Sequence, residues 1–119
     1  MKKLFIFSSN ILLIILSSHV YAVGSLAIDS NQGSKWGFAY NYSSTSEADQ
    51  KALRECGSNC RIVKRFQNEC AAYAADQSSG STAYGWATAS SRSSAQNSAL
   101  KYCSNQGGKN CQVRVWGCE

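Results

Sequence analysis

A chain of 119 residues, 44% hydrophobic and 16% charged, with no proline, has room for one small folded domain and not for two large ones. Its formal net charge is +5, and a single histidine, His19, accompanies six cysteines. That histidine lies in the leader described next, so its loss on export would exclude Ser-His-Asp and Cys-His catalysis.

The chain opens as a targeting segment. Lys2 and Lys3 precede an apolar run from Leu4 to Leu16 that Ser8-Ser9-Asn10 interrupts, and Val20-Tyr21-Ala22 supplies small residues at −3 and −1. The run falls short of the roughly 18–20 residues needed to span a bilayer. Residues 1–22 therefore read as a signal peptide cleaved after Ala22, leaving no stable membrane anchor and a destination in the periplasm or the medium. Without Lys2 and Lys3 the net charge falls to +3, and 97 residues remain as one domain, 23–119.

That domain is written twice, as repeats of about 25–70 and 71–119. Trp36-Gly37-Phe38-Ala39 matches Tyr84-Gly85-Trp86-Ala87, and Ala48, Ala52, Leu53 and Cys56 match Ala95, Ala99, Leu100 and Cys103. Asn59-Cys60 and Cys70 align with Asn110-Cys111 and Cys118, so the offset stays between 47 and 51.

Each repeat begins with a short apolar strand, Leu26-Ala27-Ile28 or Tyr73-Ala74-Ala75, then an aspartate and a polar turn, Asp29 to Ser34 or Asp76 to Ser81. A second strand alternates large and small residues. Trp36, Phe38, Tyr40 and Tyr42 fall on one face and Gly37, Ala39 and Asn41 on the other. The small face invites a helix to pack closely over it. Ser43 to Ser46 and Ser90 to Ser94 supply capping hydroxyls for that helix, and Glu47 and Asp49 suit its positive end. Ala48, Ala52, Leu53 and Cys56 form its core-facing stripe. Glycine breaks follow at Gly57 and at Gly107-Gly108, and a third strand closes each unit, Arg61 to Phe66 or Gln112 to Trp116. The expected fold is α+β: two β-β-α-β repeats forming one antiparallel-rich sheet, both helices on one face, related by a pseudo-twofold and stapled by disulfides.

Six cysteines in a small exported chain read as a disulfide framework with fifteen formal pairings. Spacing favours Cys56–Cys60 and Cys103–Cys111 as links from helix end to next strand. It leaves Cys70–Cys118, each ending a unit, as a link between the repeats. A redox reading of Cys56 and Cys60 fails on spacing, because three residues separate them where dithiol oxidoreductases have two. A zinc reading would need thiolates to escape oxidation.

Leu26-Ala27-Ile28-Asp29, Trp36-Gly37-Phe38-Ala39, Ala52-Leu53-Arg54-Glu55-Cys56 and Val113-Arg114-Val115-Trp116-Gly117-Cys118 together resemble the bacterial family DUF4189, small exported domains of unknown function. The resemblance spans nearly the whole mature chain and implies no activity and no catalytic residues. The first repeat departs from the second in having three more residues between its last two aligned cysteines.

No phosphate loop and no metal-ligand spacing appears, so no cofactor or metal is expected. Asp29 and Asp76 are equivalent acids that could form a symmetric carboxylate pair in a hydrolase, but they sit where turns favour aspartate. The closing strands interleave Arg61, Lys64, Arg65 and Phe66, and Arg114 and Trp116, as a candidate binding surface. The expectation is a non-catalytic domain that caps or inhibits a protein partner in the periplasm or envelope. The alternatives are a secreted binder of envelope glycans, anionic polymers or host surfaces, and an Asp29/Asp76 hydrolase. Nucleic acid fits an exported domain poorly. Because the repeated positions serve folding, function should lie where the copies differ, at Lys64 to Glu69 and Ser104 to Lys109.

Overall fold

The computed structural model describes residues 22–29 and 35–119. Residues 1–21, which hold the expected leader up to its cleavage site, and 30–34 of the first turn lie outside the described residues. The elements run β1 (Val23–Asp29), β2 (Trp36–Tyr42), α1 (Thr45–Cys56), β3 (Cys60–Phe66), β4 (Cys70–Asp76), β5 (Tyr84–Ala89), α2 (Arg92–Asn105) and β6 (Cys111–Cys118). The β-β-α-β unit thus occurs twice. Ser44 caps α1 by accepting from the Glu47 N–H, and Ser91 caps α2 by accepting from the Ser94 N–H. Gly57, at φ 100°, ends α1 with a backbone N–H to the Leu53 carbonyl.

In place of a single sheet there are two, each of three antiparallel strands, in the orders β2-β1-β3 and β5-β4-β6. Strands β2 and β3 flank β1 and run parallel to each other, so α1 is the crossover that joins them; α2 does the same for β5 and β6. The helices lie on opposite outer faces instead of sharing one. Ala48, Ala52 and Cys56 of α1 pack on Ala27 and Ala39, while Ala95, Ala99 and Cys103 of α2 pack on Ala72, Ala74 and Ala87. Between the sheets lies a third cluster that draws on both repeats: Leu26, Ile28, Phe38, Phe66, Ala71 and Tyr73, bordered by Trp36, Tyr84, Trp86 and Val115. The layers are therefore helix, sheet, sheet, helix.

Side-chain size sorts these layers. A Cβ on Gly37 would sit 1.8 Å from the Ala52 carbonyl oxygen, and one on Gly85 would sit 2.5 Å from the Ala99 oxygen and the Cys103 nitrogen. Helix backbone thus rests directly on strand backbone at these glycines, and the rings of Trp36, Phe38, Tyr84 and Trp86 lie on the other face. There the rings meet one another, with Trp36 and Tyr73 centroids 6.0 Å apart, Tyr73 and Tyr84 6.1 Å and Phe38 and Phe66 5.4 Å. A single large aromatic face would be left in water on a one-sheet fold. Stacking two such faces buries both, which is why the sheets separate and pair. The central strands β1 and β4 are covered on both sides, with Leu26 and Tyr73 fully buried.

Two register details differ from expectation. Asn41 has φ 67°, and the β1–β2 pairing shifts between Val23 and Ser25. That bulge turns Tyr42 off the aromatic face and onto the α1 side, beside Ala39 and Ile62. The second concerns Cys70, which starts β4 and so opens the second repeat instead of ending the first.

The disulfides join Cys56–Cys60, Cys103–Cys111 and Cys70–Cys118. Because Cys70 pairs across strands with Cys118 in the β4–β6 ladder, that bond closes one sheet and does not link the repeats. Gly24 pairs with Phe66 where Ala71 pairs with Gly117, so Cys70 corresponds to Val23 and Cys118 to Gln67. None of the three disulfides joins the two sheets, which pack on each other through the shared aromatic layer.

Two outcomes follow for stability. Gly85→Ala should cost about 1–3 kcal/mol by overpacking the helix–strand contact, measured by chemical denaturation. Removing Cys70–Cys118, which spans a sequence separation of 48, should cost about 4 kcal/mol, against about 2 kcal/mol for Cys56–Cys60 with its separation of 4. Equal losses from the two deletions would contradict the loop-closure assignment.

Candidate functional site

The closing strands do not make one surface. Strand β6 passes over β2 of the other sheet: Gly117 lies against the Phe38 ring, and the Asn41 N–H donates to the Glu119 carboxylate. With three strands per sheet, this stacking puts β3 and β6 at opposite edges. Their residues are also engaged singly. Phe66 is 2% exposed and belongs to the inter-sheet core. Arg65 grips Asp49 of α1 with Nε and Nη2, at 3.0 and 2.8 Å from Oδ2. The Arg92 guanidinium lies 3.9 Å over the Trp116 ring, and Arg114 donates to the Gln77 side chain. Arg61 is exposed and Lys64 is half-buried on β3. The basic-aromatic patch expected from the sequence is thus dispersed into separate contacts, because its members sit on edges that the fold keeps apart.

Of the paired aspartates, Asp76 is a turn group. Asp76 ends β4 and receives hydrogen bonds from the Ser78 N–H and hydroxyl and the Asn110 N–H, at 2.9 to 3.1 Å. Hydrogen bonding from Ser81, joined by Ser78 and Asn110, holds its carboxyl well below the usual carboxylate range. Asp29 ends β1 at a buried position, its N–H bonded to the Lys35 carbonyl, and the turn expected after it lies outside the described residues. Partial burial works against ionisation of Asp49, but hydrogen bonds from Arg65 and from the fully buried Ser25 prevail and lower its pKa. Sequence reading placed Asp49 with the helix dipole. Its engagement by Ser25 and Arg65 needed the β1–β3 register to be known.

What the sequence reading missed is a groove between the β5 edge and α2. It has a volume of about 600 Å³ and is lined by Tyr84, Gly85, Trp86, Ala87 and Thr88 of β5 together with Ser98, Tyr102, Asn105 and Gln106. None of these nine side chains is charged. Tyr102 is 51% exposed, one of the few large apolar side chains left open to solvent. The Asp76 N–H bonds to the Ala83 carbonyl, so the antiparallel alternation turns the main-chain groups of Gly85 and Ala87 toward β4 and those of Tyr84, Trp86 and Thr88 outward. The Tyr84 N–H meets the Gln106 side chain at 3.5 Å, while the outward N–H groups of Trp86 and Thr88 have no partner among the described residues.

The N–H equivalent to that of Trp86 is occupied in the first repeat. Lys51 and Glu55 of α1 form an ion pair at 2.6 Å, and Glu55 also accepts from the outward N–H of Phe38 at 3.2 Å. By the repeat alignment Ser98 stands for Lys51, Tyr102 for Glu55 and Trp86 for Phe38. The signal was legible in principle as these substitutions. Of the lining residues, only Asn105 and Gln106 belong to the divergent stretch Ser104 to Lys109.

The lowered pKa values of Asp49 and Asp76 give stability a defined sign with pH. Each contributes above the unfolded carboxylate pKa of about 3.9 and loses that contribution as pH falls through its lower folded value. The stability gap between wild type and Asp76→Asn, read from urea midpoints, should be widest near neutrality and close on acidification below about pH 4. A gap that widens with acid would contradict the assignment.

Comparison with known proteins agrees with the architecture. No curated protein sequence matches the chain. The NMR structure of Rv1813c from Mycobacterium tuberculosis is similar over 86% of this chain and 78% of its own, with a TM-score of 0.54 at 18% identity, a likeness of fold. A family model described as a domain of unknown function matches residues 23–118. The doubled β-β-α-β unit thus carries a family assignment with it: this chain belongs to DUF4189.

Proposed function

We propose that this is an exported, non-catalytic binding domain that caps or inhibits a protein partner in the periplasm or cell envelope, and that the β5–α2 groove is its binding surface. Its setting supports export: three disulfides in a small domain suit an oxidising compartment, and no described helix is long and apolar enough to cross a membrane. The observation that carries the binding role is the asymmetry between repeats. In one copy Glu55 takes the outward Phe38 N–H, and in the other the equivalent Trp86 N–H faces a groove of about 600 Å³ with Tyr102 exposed at its side. Edges left open on small proteins invite pairing and are normally blunted, so an N–H taken by a carboxylate in one copy and facing an uncharged groove at the equivalent position of the other points to use.

The glycan alternative had been built on the basic and aromatic residues of β3 and β6, and those lie at opposite edges. The hydrolase alternative asks Asp29 and Asp76 to act jointly. The donors around Asp76 keep it ionised and tied to its own turn, which suits neither a general acid nor a mobile base.

The test is affinity capture from an envelope fraction, with cross-linking at Lys101 of α2 and Tyr102→Arg as control. The expected result is one protein retained in stoichiometric amount and lost with the variant. Retention of nothing, or retention unchanged by Tyr102→Arg, overturns the reading.

A further inference from the structure

Resting on that reading, we infer that the groove receives an extended, uncharged segment of the partner, which adds to β5 as a fourth strand of the second sheet. The outward N–H groups of Trp86 and Thr88 stand two residues apart on one side of β5, the spacing at which an incoming strand presents its own main-chain groups. Neither has a partner among the described residues, whereas Phe38, the counterpart of Trp86 in the first repeat, has its N–H occupied by Glu55.

The walls of the groove set the chemistry of what enters. An added strand would alternate its side chains, one set toward Tyr102 and Ser98 and the other toward the Trp86 side of the sheet. A charged side chain in either set would be desolvated without an opposite charge to meet it, since the lining holds none. Uncharged hydroxyl, amide and apolar side chains fit, because Ser98, Asn105 and Thr88 supply hydrogen-bonding groups and Tyr102 and Trp86 supply aromatic surface. A proline directly opposite β5 would remove a ladder hydrogen bond, so the segment should also lack proline at its centre.

The first repeat supplies the blocking variant. Ser98→Lys with Tyr102→Glu transplants the Lys51–Glu55 pair onto α2 at equivalent positions that are half-buried and exposed, where it should cover the Trp86 N–H without disturbing the core. A displayed library of random ten-residue peptides is selected on the wild-type protein, alongside N-acetylglucosamine oligosaccharides as a separate probe. The expected peptides are uncharged and proline-free at the centre, and bind the double variant at least about tenfold more weakly, a difference of about 1.4 kcal/mol. Amide exchange at Trp86 and Thr88 in the wild type should slow on peptide binding, which reads strand addition even if the double variant fails to fold. Recovery of no peptide, peptides that leave those two amides unprotected, or oligosaccharide binding in their place each overturns the inference. If peptide selection fails while an envelope protein is still captured in a Tyr102-dependent way, strand addition falls and the protein-binding role stands. Peptide binding without any captured partner has the reverse meaning.

Discussion

The contact on which the rest of the structure depends is the touch of helix backbone on strand backbone at Gly37 and Gly85. A side chain at either position would occupy the space of a carbonyl oxygen, so the neighbouring positions on that face are small: Ala39 beside Gly37, and Ala87 beside Gly85. The bulk of the domain, including Trp36, Phe38, Tyr84, Trp86 and Tyr73, is therefore concentrated on the opposite faces. Two faces of that kind have one efficient solution, which is to cover each other. Four layers, buried central strands and a core drawn from both repeats all follow from a rule about where side chains are forbidden.

Pseudo-symmetry then survives where backbone packing demands it and lapses where volume can be traded. Phe66 fills the space over Gly24 in one unit, and the equivalent of Phe66 is Gly117, covered by the Phe38 ring from the facing sheet. The third disulfide has no counterpart in the first repeat, whose equivalent positions are Val23 and Gln67. On the outer surface, the Asp49–Arg65 ion pair of one unit stands where the other stacks Arg92 on Trp116. The copies also diverge at the strand edges, where a carboxylate takes the Phe38 N–H of β2 and a groove lies beside the Trp86 N–H of β5.

Much of this was legible in the residues. Alternating large and small side chains marked the second strands, alanines four apart marked the helix stripes, and the cysteines at helix ends marked local staples. What escaped depended on relations between elements. Whether six strands make one sheet or two is decided by which faces meet, and no single strand states that. Aligning Cys70 with Cys118 matched letters, while the ladders show that these residues oppose each other in one sheet. Tyr42 left the aromatic face because Asn41 adopts a left-handed conformation, a step that period-two counting does not foresee. Arg65, Arg114 and Trp116 looked like one basic-aromatic patch because strand order and sheet stacking were unknown. The groove was hidden for a related reason: Ser98 and Tyr102 are unremarkable until Lys51 and Glu55 are seen closing the same edge.

The two outer edges differ at one equivalent pair of main-chain groups, the Phe38 N–H taken by Glu55 and the Trp86 N–H facing the groove. Residue-resolved amide hydrogen exchange on the free protein tests it directly. The Phe38 N–H, bonded to Glu55 on a residue only 6% exposed, should exchange slowly. The Trp86 and Thr88 N–H groups should exchange orders of magnitude faster in the same sample. Equal protection at Phe38 and Trp86 would mean that the β5 edge is covered, and would contradict the account.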